Sequence, residues 1–184
     1  MLQAVCAYIY YKVLGWTAKV TVPDYDKYII CVAPHTSNFD FLLGIIFYTA
    51  IGRRTGFMMK KEWFVWPLGI LLRRMGGIPV RRNKKSSLVA QLSDEAKKRK
   101  TFHLAITPEG TRSANPIWKK GFYYIALEAK IPILLAAPDY KKKCVTLEKE
   151  ITPCGDIDKD MREIKLYFKD VKGKHPKRFT IGEV

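Results

Sequence analysis

The sequence predicts an α/β fold in a single domain covering residues 1–184, with a mixed, largely parallel sheet flanked by helices. Short apolar, β-branched runs alternate with stretches of helical composition, as in parallel sheets with crossover helices. The run at residues 28–33 is apolar throughout, which is typical of a strand buried on both faces of its sheet. No Gly-, Pro- or Ser-rich linker divides the chain, and its 184 residues can bury about two-thirds of the unfolded surface.

The predicted strands are short runs rich in apolar and β-branched residues. They lie at residues 28–33, 55–59, 78–80, 101–106, 132–137 and 145–151. Pro34 ends the first strand, and the glycines at 76–77 separate the third strand from the helix before it. The fourth strand leads into a turn at residues 108–110.

The predicted helices fill the intervals between these strands. They lie at residues 1–20, 39–51, 63–75, 86–100, 118–130 and 157–171. Apolar residues at helical spacing between Leu2 and Val13 make the first helix amphipathic. Polar residues 36–38 are N-cap candidates for the second, and basic residues 97–100 suit the C-terminal dipole of the fourth. Residues 172–184 form a basic tail that we expect to be mobile.

The chain is strongly basic, with 33 Lys and Arg residues against 17 Asp and Glu residues and a net charge of +16. Such an excess favours anionic partners through long-range attraction. These partners include nucleic acid, anionic lipid, an acidic carrier protein and a nucleotide-bearing cofactor, and charge alone does not choose among them.

Targeting and redox signals favour a cytoplasmic protein without a membrane span. An uncharged run reaches at most twelve residues, as at 41–52, whereas a transmembrane helix needs roughly 17 to 25. The N-terminus lacks the basic and apolar regions of a signal peptide. The four cysteines are scattered, which predicts reduced thiols, and the sequence shows no metal-ligand constellation or internal repeat.

Residues 35–40 read His-Thr-Ser-Asn-Phe-Asp and supply a base with a carboxylate to orient it. A positioned imidazole can take the proton of an alcohol that attacks a thioester, and a carboxylate fixes the imidazole tautomer. On one regular helix, His35 and Asp40 would be about 140° apart around the axis. Pairing therefore predicts that His35 lies in the turn before the helix and Asp40 in its first turns.

Residues 107–113 read Thr-Pro-Glu-Gly-Thr-Arg-Ser and supply an anion-binding turn. Gly110 lets backbone N–H groups approach an anion, Thr111 adds a hydroxyl donor, and Arg112 can donate two parallel hydrogen bonds to phosphate or carboxylate. Glu109 cannot bind the anion, and we expect it to orient an arginine or to contact an acceptor hydroxyl. A base beside an anion clamp indicates group transfer to the hydroxyl of a negatively charged acceptor.

The two motifs, in this order, resemble the histidine-x4-aspartate (HX4D) and proline-glutamate-glycine-threonine-arginine blocks of the glycerolipid, or lysophosphatidate, acyltransferase family. Residues 77–82 resemble the family's glycine-rich block ending in arginine, and residues 131–133 resemble its apolar-proline block. Two positions differ. The glycine-rich block commonly has aspartate where this chain has Arg81, and the third block usually opens with an aromatic residue where this chain has Thr107.

The resemblance implies an O-acyltransferase that moves a fatty acyl group from acyl-CoA or acyl carrier protein to a lysolipid hydroxyl in membrane lipid biosynthesis. The default acceptor is 1-acylglycerol 3-phosphate. His35 would be the general base and Asp40 its orienter. The implied substrate-binding residues are Lys61, Arg82, Glu109, Gly110, Thr111 and Arg112. Lys120 is a further position where similar sequences carry lysine. The acyl donor is a substrate, and no metal or other cofactor is expected.

The family's acceptors lie in membranes, so we expect peripheral attachment to the inner, cytoplasmic face of the cell membrane. An anionic leaflet would attract each nearby Lys or Arg by about 1 kcal/mol. The apolar stripe of the N-terminal helix either folds onto the core or lies in the membrane interface. Trp63 and Trp66 are expected to pack within the protein or to line an acyl groove, and Trp118 is expected to pack.

Two alternatives remain open at this point. Arg81 in the glycine-rich block and the small size also fit an amino-acid-containing lysolipid as acceptor, with a carboxylate in place of the phosphate. The basicity also fits a non-catalytic module that binds a membrane surface or nucleic acid. No aromatic and basic platform for nucleic acid stands out, so we expect no nucleic-acid partner. His103 is expected to be a packed strand histidine and His175 a solvated one.

Overall fold

Strands and helices alternate along the computed structural model, which describes residues 1–80 and 88–184, with Lys60 described by its backbone only. The strands are β1 (Thr17–Val20), β2 (Lys27–Val32), β3 (Phe57–Lys60), β4 (Gly77–Val80), β5 (Phe102–Ile106), β6 (Ile133–Asp139) and β7 (Cys144–Ile151). The helices are α1 (Leu2–Tyr8), α2 (Phe39–Ala50), α3 (Leu68–Arg74), α4 (Leu88–Lys98), α5 (Gly121–Ala129) and α6 (Ile157–Phe168). The shorter helical segments are a π-helix that continues α1 (Ile9–Val13) and two 3-10 turns (Lys61–Trp63 and Pro176–Arg178).

The main sheet has the strand order β1-β7-β6-β2-β5. Within the described residues, its neighbouring strands run parallel except for β6 with β7. Strands β3 and β4 form a second, parallel pair, which Gly56 joins to β5 by backbone hydrogen bonds to His103 and Ala105. A Cβ on Gly56 would overlap the His103 carbonyl oxygen, so only glycine allows this approach. The predicted α/β class with a mixed, largely parallel sheet is confirmed.

Each face of the main sheet carries its own apolar core, and β2 contributes to both. Ile29 and Cys31 belong to the cluster that α4, α5 and α6 cover. Tyr28 and Ile30 belong to the cluster on the other face, which α1 and α2 cover. All four side chains are completely buried. Because successive side chains of a strand point to opposite faces, burial on both sides explains the unbroken apolar run.

The topology brings the two sequence motifs together. Strands β2 and β5 are neighbours and parallel, with Cys31 paired to Ile106 near their carboxyl ends. The chain segments after these two strands therefore leave the sheet at the same edge. In open α/β sheets this edge is the usual position of a binding site.

The helix predicted over residues 1–20 is shorter than expected. The helical segment ends at Val13, and Gly15 follows with a φ of +66° that a helix cannot continue. Thr17–Val20 is instead strand β1, which pairs with β7 at the sheet edge. The helix predicted at 63–75 is also shorter, because α3 begins only after Pro67, whose ring disfavours helical geometry in the preceding residue.

The N-terminal helix packs with one face only. Tyr10 is completely buried, and its ring centroid lies 5.6 Å from that of Phe47 on α2. Leu2, Tyr8 and Val13 on the remaining surface are 71%, 64% and 64% exposed. Among the described residues, no helix combines the length and the apolar character that a membrane crossing requires.

The basic tail, which the sequence predicts to be mobile, lies along the protein and contacts it at several points. The backbone N–H of Tyr140 donates to the Lys172 carbonyl at 2.8 Å, and the Trp118 indole N–H donates to the Thr180 carbonyl at 3.1 Å. Phe179 packs against the apolar core beside Trp118. Apolar residues interleaved with the basic ones thus hold this segment, residues 172–182, which we call the strap.

Candidate active site

His35 and Asp40 meet at the start of α2. His35 lies in the turn between β2 and α2, and Asp40 lies in the first turn of the helix, as their spacing predicts. The His35 Nδ1 atom is 3.3 Å from the Asp40 Oδ2 atom. The Asp40 side chain is 2% exposed and the His35 side chain 20% exposed, so the carboxylate is buried while the imidazole reaches the surface.

The Asp40 carboxylate accepts hydrogen bonds from several donors besides His35. The backbone N–H groups of Thr36 and Ser37 donate to Oδ2 at 2.7 and 2.8 Å, and the Tyr140 hydroxyl donates to Oδ1. Burial opposes ionisation of this carboxyl, but the hydrogen bonds from His35, Tyr140 and the two amides outweigh it and lower the pKa of Asp40. Asp40 is therefore an ionised acceptor at neutral pH, and it can hold a proton on His35 Nδ1.

Tyr140 is a site residue that the sequence analysis missed. It follows β6, one hundred positions after Asp40, and no motif marks it. Its ring packs edge-on against Trp16, with centroids 4.9 Å apart. Burial and the adjacent Asp40 carboxylate raise the pKa of Tyr140, so its hydroxyl stays protonated and donates. The sequence marks Tyr140 only as an aromatic residue directly after a fully buried strand of the same sheet.

Glu109 bonds the histidine turn. It is 2% exposed, and its two carboxyl oxygens lie 3.0 and 3.2 Å from the backbone N–H of His35, which donates to them. Among the described residues no arginine forms an ion pair with Glu109, and its contact with an acceptor hydroxyl stays a prediction. Burial raises the pKa of Glu109 to about 7, although the His35 amide counteracts part of the effect. Glu109 thus ties the anion-binding turn to the histidine turn.

The turn at residues 107–110 is closed by its own backbone. The Gly110 N–H donates to the Thr107 carbonyl at 3.2 Å, so this amide is already bonded within the turn. Gly110 has a φ of +66°, and a Cβ there would lie 2.8 Å from Cε of Lys119. Glycine is favoured here because of the left-handed turn, whereas the flexible Lys119 side chain could move aside.

An open cleft of roughly 1070 Å³ lies above these turns. Five predicted site residues line it, namely His35, Asp40, Gly110, Thr111 and Arg112. Thr111 accepts a hydrogen bond from the Ser113 N–H at 3.3 Å, which leaves its hydroxyl proton available to a ligand. The structure thus brings the base, the hydroxyl and the arginine into one cleft. Lys119 and Arg178 also line it, and neither was predicted.

The remaining lining of the cleft is largely apolar. One face of α2 contributes Phe41, Ile45 and Tyr48, which lie at the spacing of successive helical turns. Strand β3 contributes Phe57 and Met58. The volume is at the upper end of typical ligand pockets, which run from about 300 to 1,000 Å³. A long hydrocarbon chain therefore has both room and an apolar wall beside His35.

Two predicted lysines lie outside the cleft lining. Lys61 is exposed on a 3-10 turn after β3 and does not line the cleft. Lys120 points elsewhere, because its Nζ atom lies 3.0 Å from Oδ1 of Asp158. Arg82, predicted as a second anion ligand, lies outside the described residues.

The other conspicuous side chains divide between the core and the surface. Trp118 is 4% exposed and packs, as predicted, but Trp63 and Trp66 are 55% and 83% exposed, so their predicted packing is wrong. His103 stacks on Tyr28 with centroids 4.3 Å apart, as expected of a packed strand histidine. Within the described residues, no group of three or more His, Cys, Asp or Glu side chains could hold a metal ion.

The geometry suits proton transfer at His35. Because Asp40 faces Nδ1, the other ring nitrogen, Nε2, is left to accept a proton from a ligand in the cleft. The ionised Asp40 can stabilise the imidazolium that results. The same cleft holds cations for an anionic group and an apolar wall for a hydrocarbon chain.

A comparison with known protein families decides the assignment. The family model described as Acyltransferase matches residues 17–136, more than half of the chain. The chain belongs to the Acyltransferase family. The predicted relationship to the glycerolipid acyltransferases is confirmed by this match together with the relatives described next.

Two known proteins resemble this Acyltransferase family member. Human 1-acyl-sn-glycerol-3-phosphate acyltransferase beta is 29% identical over 111 residues, which cover 57% of this chain and 39% of the human protein. The match thus spans about two-fifths of that relative's length. The crystal structure of the 1-acyl-sn-glycerophosphate (LPA) acyltransferase PlsC from Thermotoga maritima has a TM-score of 0.60 at 18% identity, covering 91% of this chain and 76% of that chain. This second likeness shows a shared fold.

The family match covers only part of the site. His35, Asp40 and the turn at residues 107–110 lie within the matched residues, whereas Tyr140 and the strap lie beyond residue 136.

Proposed function

We propose that this protein transfers a fatty acyl group from a thioester donor to the hydroxyl of a lysolipid, by default 1-acylglycerol 3-phosphate, in membrane lipid biosynthesis. The observation that carries the proposal is the His35–Asp40 pair, which opens onto a cleft with cations and an apolar wall. The name of the human relative supports a glycerol-phosphate acceptor.

In the proposed reaction, His35 Nε2 removes the proton of the acceptor hydroxyl while its oxygen bonds to the thioester carbonyl carbon. Asp40 holds the imidazolium through Nδ1. Collapse of the tetrahedral adduct breaks the carbon–sulfur bond, and the imidazolium returns its proton to the departing thiolate. The products are an ester and a free thiol, so neither a metal nor a redox cofactor enters the balance.

Arg112 is the proposed ligand for the anionic head group of the acceptor. It is exposed in the cleft, and no carboxylate in the described part of the chain lies within ion-pair distance of it. A guanidinium binds a phosphate or a carboxylate through two parallel hydrogen bonds. The amino-acid-containing lysolipid therefore remains the second candidate acceptor, and Arg112 would then bind a carboxylate.

The proposed donor is acyl-CoA or an acyl carrier protein. Both are strongly anionic and both present the acyl group as a thioester on a phosphopantetheine arm, so the +16 charge of the chain attracts each of them. Turnover measured with each thioester in turn distinguishes acyl-CoA from acyl carrier protein as the donor.

The proposed location is the inner, cytoplasmic face of the cell membrane, and an exposed apolar surface supports membrane contact. The surface consists of the exposed side chains Trp63, Val65, Trp66, Leu68, Ile70, Leu71 and Met75. We call it the membrane patch. Arg73 and Arg74 lie within the same stretch, and such basic residues favour anionic lipid head groups. Tryptophans are favoured at the level of the head groups.

Vesicle sedimentation tests the membrane patch. Trp66→Ser should reduce the fraction that sediments with anionic phosphatidylglycerol vesicles, and Ile117→Ser should not. Ile117 is a matched control because it is 79% exposed and lies outside the patch. Equal losses in the two variants would contradict the assignment of this surface.

Turnover tests the proposed function directly. Purified protein is incubated with long-chain acyl-CoA or acyl carrier protein and a panel of phosphate-bearing and amino-acid lysolipids, and the lipid products are identified by mass spectrometry. His35→Ala should keep the circular dichroism spectrum and lose transfer. Tight nucleic-acid binding with a steep salt dependence and no turnover would instead support the non-catalytic module.

A further inference from the structure

The strap lies across the histidine turn. The His175 backbone N–H donates to Oγ1 of Thr36 at 3.1 Å, and Thr36 is completely buried. A Cβ on Gly173 would lie 2.9 Å from the same oxygen and 3.0 Å from Cβ of Pro34, so the strap backbone is in close contact with the turn. Lys174 places its ammonium 4.6 Å from the ring centroid of Phe39. These contacts fix the strap next to His35.

The strap presents Arg178 to the cleft. After His175 the chain makes a 3-10 turn, in which the Arg178 N–H donates to the His175 carbonyl at 2.9 Å. On the other side, the Trp118 indole holds the Thr180 carbonyl. Arg178 therefore lies between two anchors, and its side chain is part of the cleft lining. The backbone of Arg178 is thus held on both sides, while its exposed guanidinium has no partner within the described residues.

Arg178 adds a positive charge to a cleft whose other cations have no carboxylate partner among the described residues. It shares the lining with Arg112 and Lys119, and among the described residues none of these three cations lies within ion-pair distance of a carboxylate. Asp40 is the carboxylate of the lining, and its oxygens are already bound by His35, two amides and Tyr140. Unpaired cations gathered in one concave site favour a ligand with more than one negative charge.

We propose that Arg178 binds a phosphate group of a substrate and is a specificity-determining residue of the cleft. The inference rests on the proposed function, in which the acceptor and the donor both carry phosphates. Arg112 comes from the segment after β5 and Arg178 from the strap, so the two guanidiniums reach the cleft from different parts of the chain. One of them can bind the acceptor phosphate while the other binds the donor, or both can bind the same group.

Steady-state kinetics with phosphate-free analogues test the proposal and identify the phosphate. Arg178→Ala should raise the KM of one phosphate-bearing substrate by roughly tenfold or more, since a lost hydrogen bond to a charged group costs that much. The kcat should change less than about twofold. Arg178→Lys should recover part of the loss, because it keeps the charge without the planar fork. Lys177→Ala is the matched control, since Lys177 is exposed on the same turn but does not line the cleft.

The analogues distinguish the two sources of phosphate. If Arg178 binds the acceptor, the Arg178→Ala penalty should disappear with monoacylglycerol, which lacks the phosphate. If it binds the donor, the penalty should disappear with acyl-pantetheine. An unchanged KM for both phosphate-bearing substrates would overturn the inference, as would an equal penalty with every analogue.

Equilibrium binding separates failure of this inference from failure of the proposed function. Calorimetric titration with coenzyme A and with short-chain lysophosphatidate needs no turnover. Arg178-dependent binding in a protein without transferase activity would sink the catalytic proposal and keep the anion site. Equal affinities of the unmodified protein and Arg178→Ala for both ligands would overturn the anion site, whatever the activity.

Discussion

The His35–Asp40 pair and the cations of the cleft are held in opposite ways. Asp40 is buried and bonded to two amides, a phenol and the imidazole, while Glu109 bonds the histidine backbone. Arg112 is exposed, and no described carboxylate is paired with it. The proposed proton-transfer pair is thus oriented by the fold itself, before any substrate binds. The proposed anion ligand Arg112 is instead exposed to solvent in the free protein.

Asp40→Asn should have the largest effect on kcat, because it removes the carboxylate that orients His35. An amide cannot stabilise the imidazolium and no longer favours a proton on Nδ1, so kcat should fall by roughly 10²- to 10⁴-fold. Asp160→Asn is the matched control, since Asp160 is also buried and also accepts from a backbone N–H and a tyrosine hydroxyl, but its partners are Cys154 and Tyr123. Comparable kcat values in the two variants would contradict the role of Asp40.

Arg112→Ala should weaken acceptor binding and leave the His35–Asp40 pair intact. The KM for a phosphate-bearing acceptor should rise by roughly ten- to a hundredfold, since a bidentate, charge-assisted contact is lost. Melting temperature should stay the same, because the side chain is exposed. Arg162→Ala, at an exposed position on α6, serves as the control in the same assay. A change in kcat alone would count against anion binding.

Tyr140→Phe should have a smaller effect on catalysis, because it removes one of several bonds to Asp40. A lost hydrogen bond to a charged group predicts a fall in kcat of roughly three- to tenfold. The pKa of Asp40 should also rise, because a hydrogen bond that favours its charged form is lost, and an NMR titration of the Asp40 carboxyl carbon measures this change. Tyr124→Phe, at a partly exposed tyrosine of α5, should change neither quantity. An unaltered kcat together with an unaltered titration of Asp40 in Tyr140→Phe would remove Tyr140 from the network.

Glu109→Gln should change stability more than activity. The folded protein raises the pKa of Glu109 from 4.5 to about 7, so the folded state favours the protonated form. This contribution to stability is fully present below pH 4.5 and is lost as pH rises through about 7. Urea denaturation at several pH values should show a decline of less than about 1.4 kcal/mol per pH unit across this window. In Glu109→Gln the free energy of unfolding should fall less steeply with pH. An identical pH dependence in the variant and the unmodified protein would contradict the raised pKa of Glu109.

The sequence predicts those parts of the site that depend on local structure. The apolar run of β2, the proline after it and the polar cap before α2 are neighbours in the chain, so they place His35 against Asp40 by themselves. The α/β class does not fix which strands are neighbours, so the pairing of β2 with β5 comes from the structure alone. The chemistry of a base beside an anion clamp predicts that the two motifs meet, and the bond from the His35 amide to Glu109 joins them.

The parts that the sequence could not predict depend on contacts between distant segments. Tyr140 reaches Asp40 over one hundred positions, and the strap reaches Thr36 over 139. Neither contact leaves a periodic pattern, and the basic residues of the strap suggested a mobile tail. The predicted packing of Trp63 and Trp66 is also wrong, because large apolar residues are assigned to the interior unless a partner outside the protein is known.

The bond between the strap and Thr36 also affects the order of events during synthesis. Thr36 is synthesised 139 residues before His175, which at about 5 to 20 residues per second is a delay of roughly 7 to 28 seconds. During that interval the nascent chain contains the residues of β2 and α2. It does not yet contain the strap, which covers the histidine turn and carries Arg178. A ribosome-bound chain stalled before residue 172 should therefore expose Thr36 and Pro34 to solvent.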